Sequence, residues 1–267
     1  MKKWLLILGG FLLSSFVCPL YGGKARYPQH VVQPGEELLY EVSYLGIPLG
    51  TIRVVTYGWD TLNGRAVVRA KAYIDSHPGI PFVALHTIFD SWIDRSLAFS
   101  WRFQGKTKMR DSTWAYNFII FDYPHQQMVI EHGIRDTIWR HEEYQSTKRW
   151  NDGFSLFFLA RKYIRLGKSV AVPTVIDFDT TKTLFFFYNR VEPIEVESVP
   201  YPVRTRYFEG KALWKGIYGL SGDFRGWFSD DDASVPIYAQ MKVYLGSVDI
   251  ELVQWHRDGW QPPKAVE

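Results

Sequence analysis

Short runs rich in β-branched and aromatic residues, separated by glycine, proline and asparagine, recur through most of this chain. That pattern is the strongest constraint on its fold, because such runs suit pleated, half-buried strands and the breaks between them suit turns. From Glu36 to Val55 two runs flank Gly46, Pro48 and Gly50, a hairpin-like arrangement. Further runs lie at Arg65 to Ile74, Val83 to Ile93, Ala98 to Phe103, Thr113 to Phe121, Gln127 to Glu131, Thr183 to Val191, Tyr207 to Trp214 and Ile237 to Leu252. Turn signals at Asn63-Gly64, Tyr123-Pro124, His132-Gly133 and Glu192-Pro193 fall among them. Aromatic residues make up 17% of the chain, which strengthens the reading as a β-rich protein.

One segment breaks the alternation. After Asn151-Asp152-Gly153, which supplies a cap, Phe154, Phe157, Phe158, Ala160 and Ile164 recur at helical spacing, Arg161, Lys162 and Arg165 keep a polar side, and Gly167 ends the pattern. A single helix is predicted over about 153–166, packed on the sheet. The expected fold is mainly β: one strongly curved antiparallel sheet or partly open β-barrel, with the helix covering or plugging one opening and a concave inner face.

Lys2 and Lys3 precede an apolar run from Trp4 to Val17, the layout of a secretory signal peptide. The run is about fourteen residues, short of the about 20 that a spanning helix needs. The expected organisation is a signal peptide over 1–23, one β-rich domain over 24–256 and a tail over 257–267, in a protein exported to the periplasm or cell envelope. Cys18 is the only cysteine. It is a candidate for lipidation, which would tether the domain to a membrane surface. The flanking Ser15, Phe16, Val17 and Pro19 suit that poorly, and cleavage near Gly22, Gly23 or Ala25 is the alternative.

Several words of the sequence, in order, are Pro34-Gly35-Glu36, Leu39-Tyr40, Ile47-Pro48-Leu49-Gly50, Asp90-Ser91-Trp92-Ile93-Asp94, and Asn151-Asp152 ahead of Leu159-Ala160-Arg161. They continue with Gly226-Trp227-Phe228-Ser229-Asp230-Asp231, Val235-Pro236-Ile237, Lys242 and Leu245-Gly246-Ser247-Val248. In these the chain resembles a family of exported bacterial proteins catalogued as domain-of-unknown-function family 3108, over about Val32 to Leu252. The resemblance implies a β-rich envelope domain and brings no catalytic residues with it. Physical reasons for the glycines are a start to the first strand at Pro34-Gly35, a turn or close backbone approach at Gly46 and Gly50, and a bulge or tight curve at Gly246.

The candidate ligand-binding residues are Asp90, Trp92 and Asp94, which alternation places on one strand face, opposite Phe89, Ser91 and Ile93. A tryptophan between two carboxylates stacks on a sugar ring or holds a cationic head group; it also serves as a plain cover for the sheet. Asp230 and Asp231 of the Asp230-Asp231-Asp232 run, with Trp227 beside them, form a second candidate group, against a solvated turn between Phe228 and Val235. Asp177 and Asp179 read as solvent-facing charge. Arg53, Arg102, Lys106, Lys108 and Arg110 alternate with Trp101, Phe103, Trp114 and Tyr116, a pattern that binds anionic lipid or polysaccharide but also describes a half-buried strand.

His30, His77, His86, His125, His132, His141 and His256 are scattered, so no metal site is expected. The nearest approach to a hydrolase elbow, Gly219-Leu220-Ser221-Gly222, lacks a residue, and phosphate-binding words are absent, so no cofactor and no catalytic residue is assigned. The 31 basic and 28 acidic residues are interspersed, which argues against a nucleic-acid partner. The leading expectation is a non-enzymatic exported domain that binds an apolar or amphipathic envelope ligand, a lipid or glycolipid, and is peripheral to a membrane at most. Two alternatives stand beside it: a scaffold or assembly factor holding another envelope protein through a strand edge, and a polysaccharide hydrolase using Asp230, Asp231 or Asp94.

Overall fold

The computed structural model describes residues 30–80, 84–215, 222–243 and 246–266. The signal-peptide region, Cys18 and Ser221 lie outside them. The chain forms β1 (Glu36–Tyr44), β2 (Ile47–Leu62), β3 (Arg65–Ser76), β4 (His86–Asp94), β5 (Ser100–Lys108), β6 (Trp114–Asp122), β7 (Gln127–Ile134), β8 (Thr137–Gln145) and β9 (Asn151–Asp152). The one helix among the described residues, α1 (Ser155–Tyr163), follows, then β10 (Ser169–Ile176), β11 (Asp179–Ile194), β12 (Val203–Ala212), β13 (Gly222–Ser229), β14 (Pro236–Lys242) and β15 (Ser247–His256). The protein is mainly β, as its alternation implies.

All the strands join one sheet in the order β8-β7-β6-β5-β4-β3-β2-β1-β15-β14-β13-β12-β11-β10-β9. The two halves of the described chain each form a meander, and β1 paired with β15 joins them, so the first and last of these strands meet in the middle of the sheet. Neighbours are antiparallel except β9 with β10. Register shifts at Thr56/Gly58, Trp92/Ile93 and Phe187/Arg190 are bulges that bend the long strands. The sheet rolls until its far ends approach. Asn117 Nδ2 donates to Asp177 Oδ1 at 2.9 Å, and the Arg140 guanidinium lies 3.7 Å above the Phe178 ring. No strand pairing among the described residues joins the two ends, so the barrel is partly open.

Helix α1 lies within the roll. Asp152 caps it: one carboxylate oxygen accepts the backbone N–H groups of Phe154 and Ser155, each at 2.8 Å, and the other accepts from Ser91 at 2.7 Å and Ser100 at 2.5 Å. Complete burial pushes the Asp152 carboxyl above the usual carboxylate range, against the lowering by these donors. The helix proper ends at Tyr163, three residues before the predicted limit, and Gly167 at φ +63° turns the chain out of it. Phe158, Leu159 and Ile164 are fully buried.

The polar side expected of the helix is corrected by the fold. Lys162 is half-buried and donates to the Ser96 carbonyl at 2.5 Å. The Arg161 side chain is fully buried, and its guanidinium grips both oxygens of Glu36 at 2.6 and 2.9 Å and donates to the Ala233 carbonyl at 3.1 Å. Arg257 reaches the same Glu36 carboxylate. Three charges are therefore paired out of water, tying the start of β1 to the helix and the C-terminal segment.

That C-terminal segment, read as a tail over 257–267, is docked over its described residues. Arg204 N–H donates to the Pro263 carbonyl at 2.7 Å, Ala265 N–H to Pro202 at 2.9 Å, and the Trp260 indole to Asp231 at 2.7 Å. Gly46 has φ +75° in the β1–β2 turn, and an added Cβ at Gly50 would lie 2.1 Å from the Asp75 carbonyl oxygen, the close approach expected there. Gly246 sits at φ +77° between β14 and β15. The apolar run from Ile237 is thus two strands and a turn, where a single bulged strand was expected.

Candidate functional site

The two faces of the rolled sheet differ in chemistry. Inward, β1 to β4 present Tyr40, Val54, Ala72 and Phe89, and β11 to β13 present Phe185, Phe208, Phe224 and Phe228. These side chains do not fill the interior. Between them and the Phe154, Phe157 and Ala160 side of α1 lies an apolar cavity of about 320 Å³. Its size falls at the low end of ligand pockets, which run about 300–1,000 Å³.

Two glycines shape the wall. An added Cβ at Gly210 would fall 2.1 Å from the Phe224 ring, and one at Gly226 would fall 2.5 Å from Phe208. Each ring lies over bare backbone on the neighbouring strand, which flattens the aromatics and leaves space beyond them. Tyr40 donates its hydroxyl to the Pro236 carbonyl at 3.2 Å, and the Trp214 indole donates to Thr183 at 2.8 Å. The lining thus has few free polar groups and suits a ligand that offers hydrocarbon.

Asp90, Trp92 and Asp94 stand elsewhere. Phe89, Ser91 and Ile93 face the interior as alternation requires: Phe89 lines the cavity, Ser91 reaches Asp152, and Ile93 is fully buried. Trp92 is on the outer face, yet only 8% exposed. The guanidiniums of Arg69 and Arg102, each 4.8 Å from its ring centroid, cover it on the two neighbouring strands. Asp90 is bound bidentately by Arg69 at 3.1 and 2.9 Å and paired with Lys71 at 3.2 Å. Asp94 accepts the Trp101 indole N–H at 3.0 Å and the Ser96 N–H at 2.8 Å.

This arrangement makes Trp92 a cross-strand clamp. Trp92→Leu keeps an apolar side chain of smaller volume and loses two cation–π contacts, worth about 1–2 kcal/mol together, besides part of the packing. Urea unfolding is expected to record that loss, while uptake of an apolar ligand in the cavity stays unchanged. Altered uptake in the folded variant would return Trp92 to the ligand site.

The second candidate group is also engaged internally. Asp230 lies among Arg206 at 2.5 Å, Arg204 at 2.8 Å and Arg165 at 3.4 Å, with its side chain 4% exposed, so the turn is not the solvated one expected of an acidic run. Asp231 accepts from Ser229, the Ser234 N–H and Trp260. Asp232 alone of the three is exposed. Trp227 donates to Glu192 on the outer face and packs at a tilt between Tyr207 and Tyr238, with centroids at 5.2 and 5.4 Å. None of the six residues lines the cavity. Among the described residues, no three His, Cys, Asp or Glu side chains gather where they could hold a metal.

Sequence reading missed the Glu36, Arg161 and Arg257 cluster. One signal for it was present: Arg161 falls three residues after Phe158 and three before Ile164, on the apolar stripe itself.

Compared with known proteins, the chain is similar to a solved structure of a β-barrel-like protein of domain-of-unknown-function family DUF1849 from Brucella abortus. The TM-score is 0.54 with 9% sequence identity, and the alignment covers 85% of this chain and 98% of that one. At that identity the likeness concerns the fold alone. No protein-family model matches the chain, and no curated protein does.

Proposed function

We propose that this protein is a non-enzymatic binding domain whose rolled sheet encloses the hydrocarbon part of an apolar or amphipathic ligand, a lipid or glycolipid of the cell envelope. The resemblance to family 3108 and the secretory layout of the N-terminus belong to this proposal. The observation that carries it is the apolar cavity left between the phenylalanine-lined sheet and α1. At about 30 Å³ per water-sized group, its volume holds a hydrocarbon segment of about ten methylenes. Burying these at about 0.8 kcal/mol each gives a gross gain of about 8 kcal/mol, against which the loss of free motion on association is set.

Titration with a neutral, environment-sensitive naphthylamine probe tests this. Saturable, one-to-one fluorescence enhancement, reversed by a long-chain alcohol, is the expected result. No saturable uptake by the folded protein would remove the basis of the reading.

A second reading, a scaffold that holds another protein by strand addition, is favoured by β8. Among the described residues no strand pairs with its outer edge, and Ile138 and Trp139 on it are 48% and 58% exposed. Its mark would be co-purification with one protein at fixed stoichiometry.

A further inference from the structure

A cleft of about 790 Å³ with mixed polar and apolar walls opens where the two ends of the sheet approach each other. Its walls are the end of β8 with the segment 145–150 on one side, and Thr180 to Lys182 of β11 with Leu213 on the other. It adjoins the apolar cavity along the inner face of β11. Thr181 lines the cleft and Thr183, the next residue on that face, lines the cavity, and the Trp214 indole bonded to Thr183 stands at the boundary beside Leu213 of the cleft.

The charge of the cleft is one-sided. Lys148 and Lys182 are its only ionisable lining residues besides Tyr144, and none of the lining residues is acidic. Among the described residues neither lysine has a carboxylate within ion-pair distance; Lys148 instead lies 5.4 Å from the centre of the Trp150 ring. The remaining walls offer hydroxyls and amides from Gln126, Gln145, Thr147 and Thr180 beside the apolar side chains of Met128, Trp150 and Leu213. Two unpaired ammonium groups above neutral hydrogen-bonding side chains complement an anion.

We propose that this cleft receives the anionic head group of the ligand whose hydrocarbon tail occupies the apolar cavity, so that the protein selects anionic amphiphiles over neutral ones of equal chain length. This rests on the binding reading above and names its ligand class. Ion pairs to two solvent-accessible lysines are expected to favour the anion about five- to tenfold.

The test is calorimetric titration of the full folded domain with decanoate and decanol, repeated on a Lys148→Ala, Lys182→Ala double variant, with acetate as competitor. The expected result is tighter binding of decanoate, a preference lost in the double variant with decanol affinity unchanged, and no displacement by acetate. Equal affinities for decanoate and decanol in the wild type would overturn the head-group assignment and leave the tail site standing. Displacement of decanoate by acetate alone would also overturn it, by marking the cleft as a site for small free anions. Failure of both amphiphiles to bind would overturn the binding reading together with it.

Discussion

Glu36→Gln is expected to destabilise the protein by about 3–5 kcal/mol, because it leaves buried guanidinium charge without its carboxylate. In a domain of this size that corresponds to a melting temperature lower by about 10 °C or more. Arg161 is wholly buried, and the substituted amide offers it a single neutral oxygen where the carboxylate offered two charged ones. Arg257, with its side chain 6% exposed, loses the same partner.

The pH dependence follows from the same contacts. Burial alone would raise the Glu36 carboxyl, but the Arg161 and Arg257 charges and hydrogen bonds outweigh it and hold the group below the usual carboxylate range. A carboxyl lowered in the folded state contributes stability that is fully present above its unfolded value and lost as pH falls through its folded one. Wild-type stability is therefore expected to fall on acidification below the ordinary range, with a flatter profile in Glu36→Gln. Urea midpoints across that window measure it. A loss under about 1 kcal/mol for Glu36→Gln would contradict the buried cluster as drawn.

Ala239→Phe produces the second large effect, on binding and not on folding. Ala239 lies between Gly226 and Ile250 on the neighbouring strands and lines the cavity. A phenyl ring there displaces about four methylenes of ligand, about 3 kcal/mol, so affinity for a hydrocarbon chain is expected to fall about a hundredfold. Filling a void typically stabilises a fold by about 0.5–2 kcal/mol. Weaker binding with equal or higher stability is the expected pair of results. A stability loss of about 3 kcal/mol would instead mean that the site was already packed.

Most of the architecture was legible because a curved sheet must alternate its faces. The runs at Arg65, Thr113 and Gln127 begin within a residue of β3, β6 and β7. What escaped did so for local reasons. Strand β8 is exposed at the sheet edge and shows no apolar face to read. Strand β10 carries Pro173 and meets β9 at only two residues, so little of its outer edge requires a donor.

Glu192-Pro193 reads as a turn but lies within β11. Strand β10 pairs with β11 only from Asp179 to Phe186, and beyond that a missing N–H costs nothing on the open side. Strand β13 hides behind Gly222 and Gly226, the second of which lies beneath the Phe208 ring. His132-Gly133 marks a register shift within β7 and not a turn.

The candidate site was less legible than the fold. A tryptophan flanked by carboxylates looks like a binding platform in one dimension. Its environment comes from Arg69 and Arg102, 23 residues before and 10 after it, brought alongside by strand pairing. The cavity is a property of what the inner side chains leave empty, and no single residue announces that. Aromatic abundance pointed to a concave apolar face, and the glycines beneath Phe208 and Phe224 explain how such bulky groups still leave room.

The most direct measurement is native mass spectrometry of the gently purified protein, followed by denaturation and organic extraction of the same sample. A ligand resident between α1 and the sheet predicts a stoichiometric extra mass that disappears on denaturation, appears in the organic phase, and is lost from Ala239→Phe. A folded protein that carries no extractable mass, and gains none when offered lipid, would contradict the account.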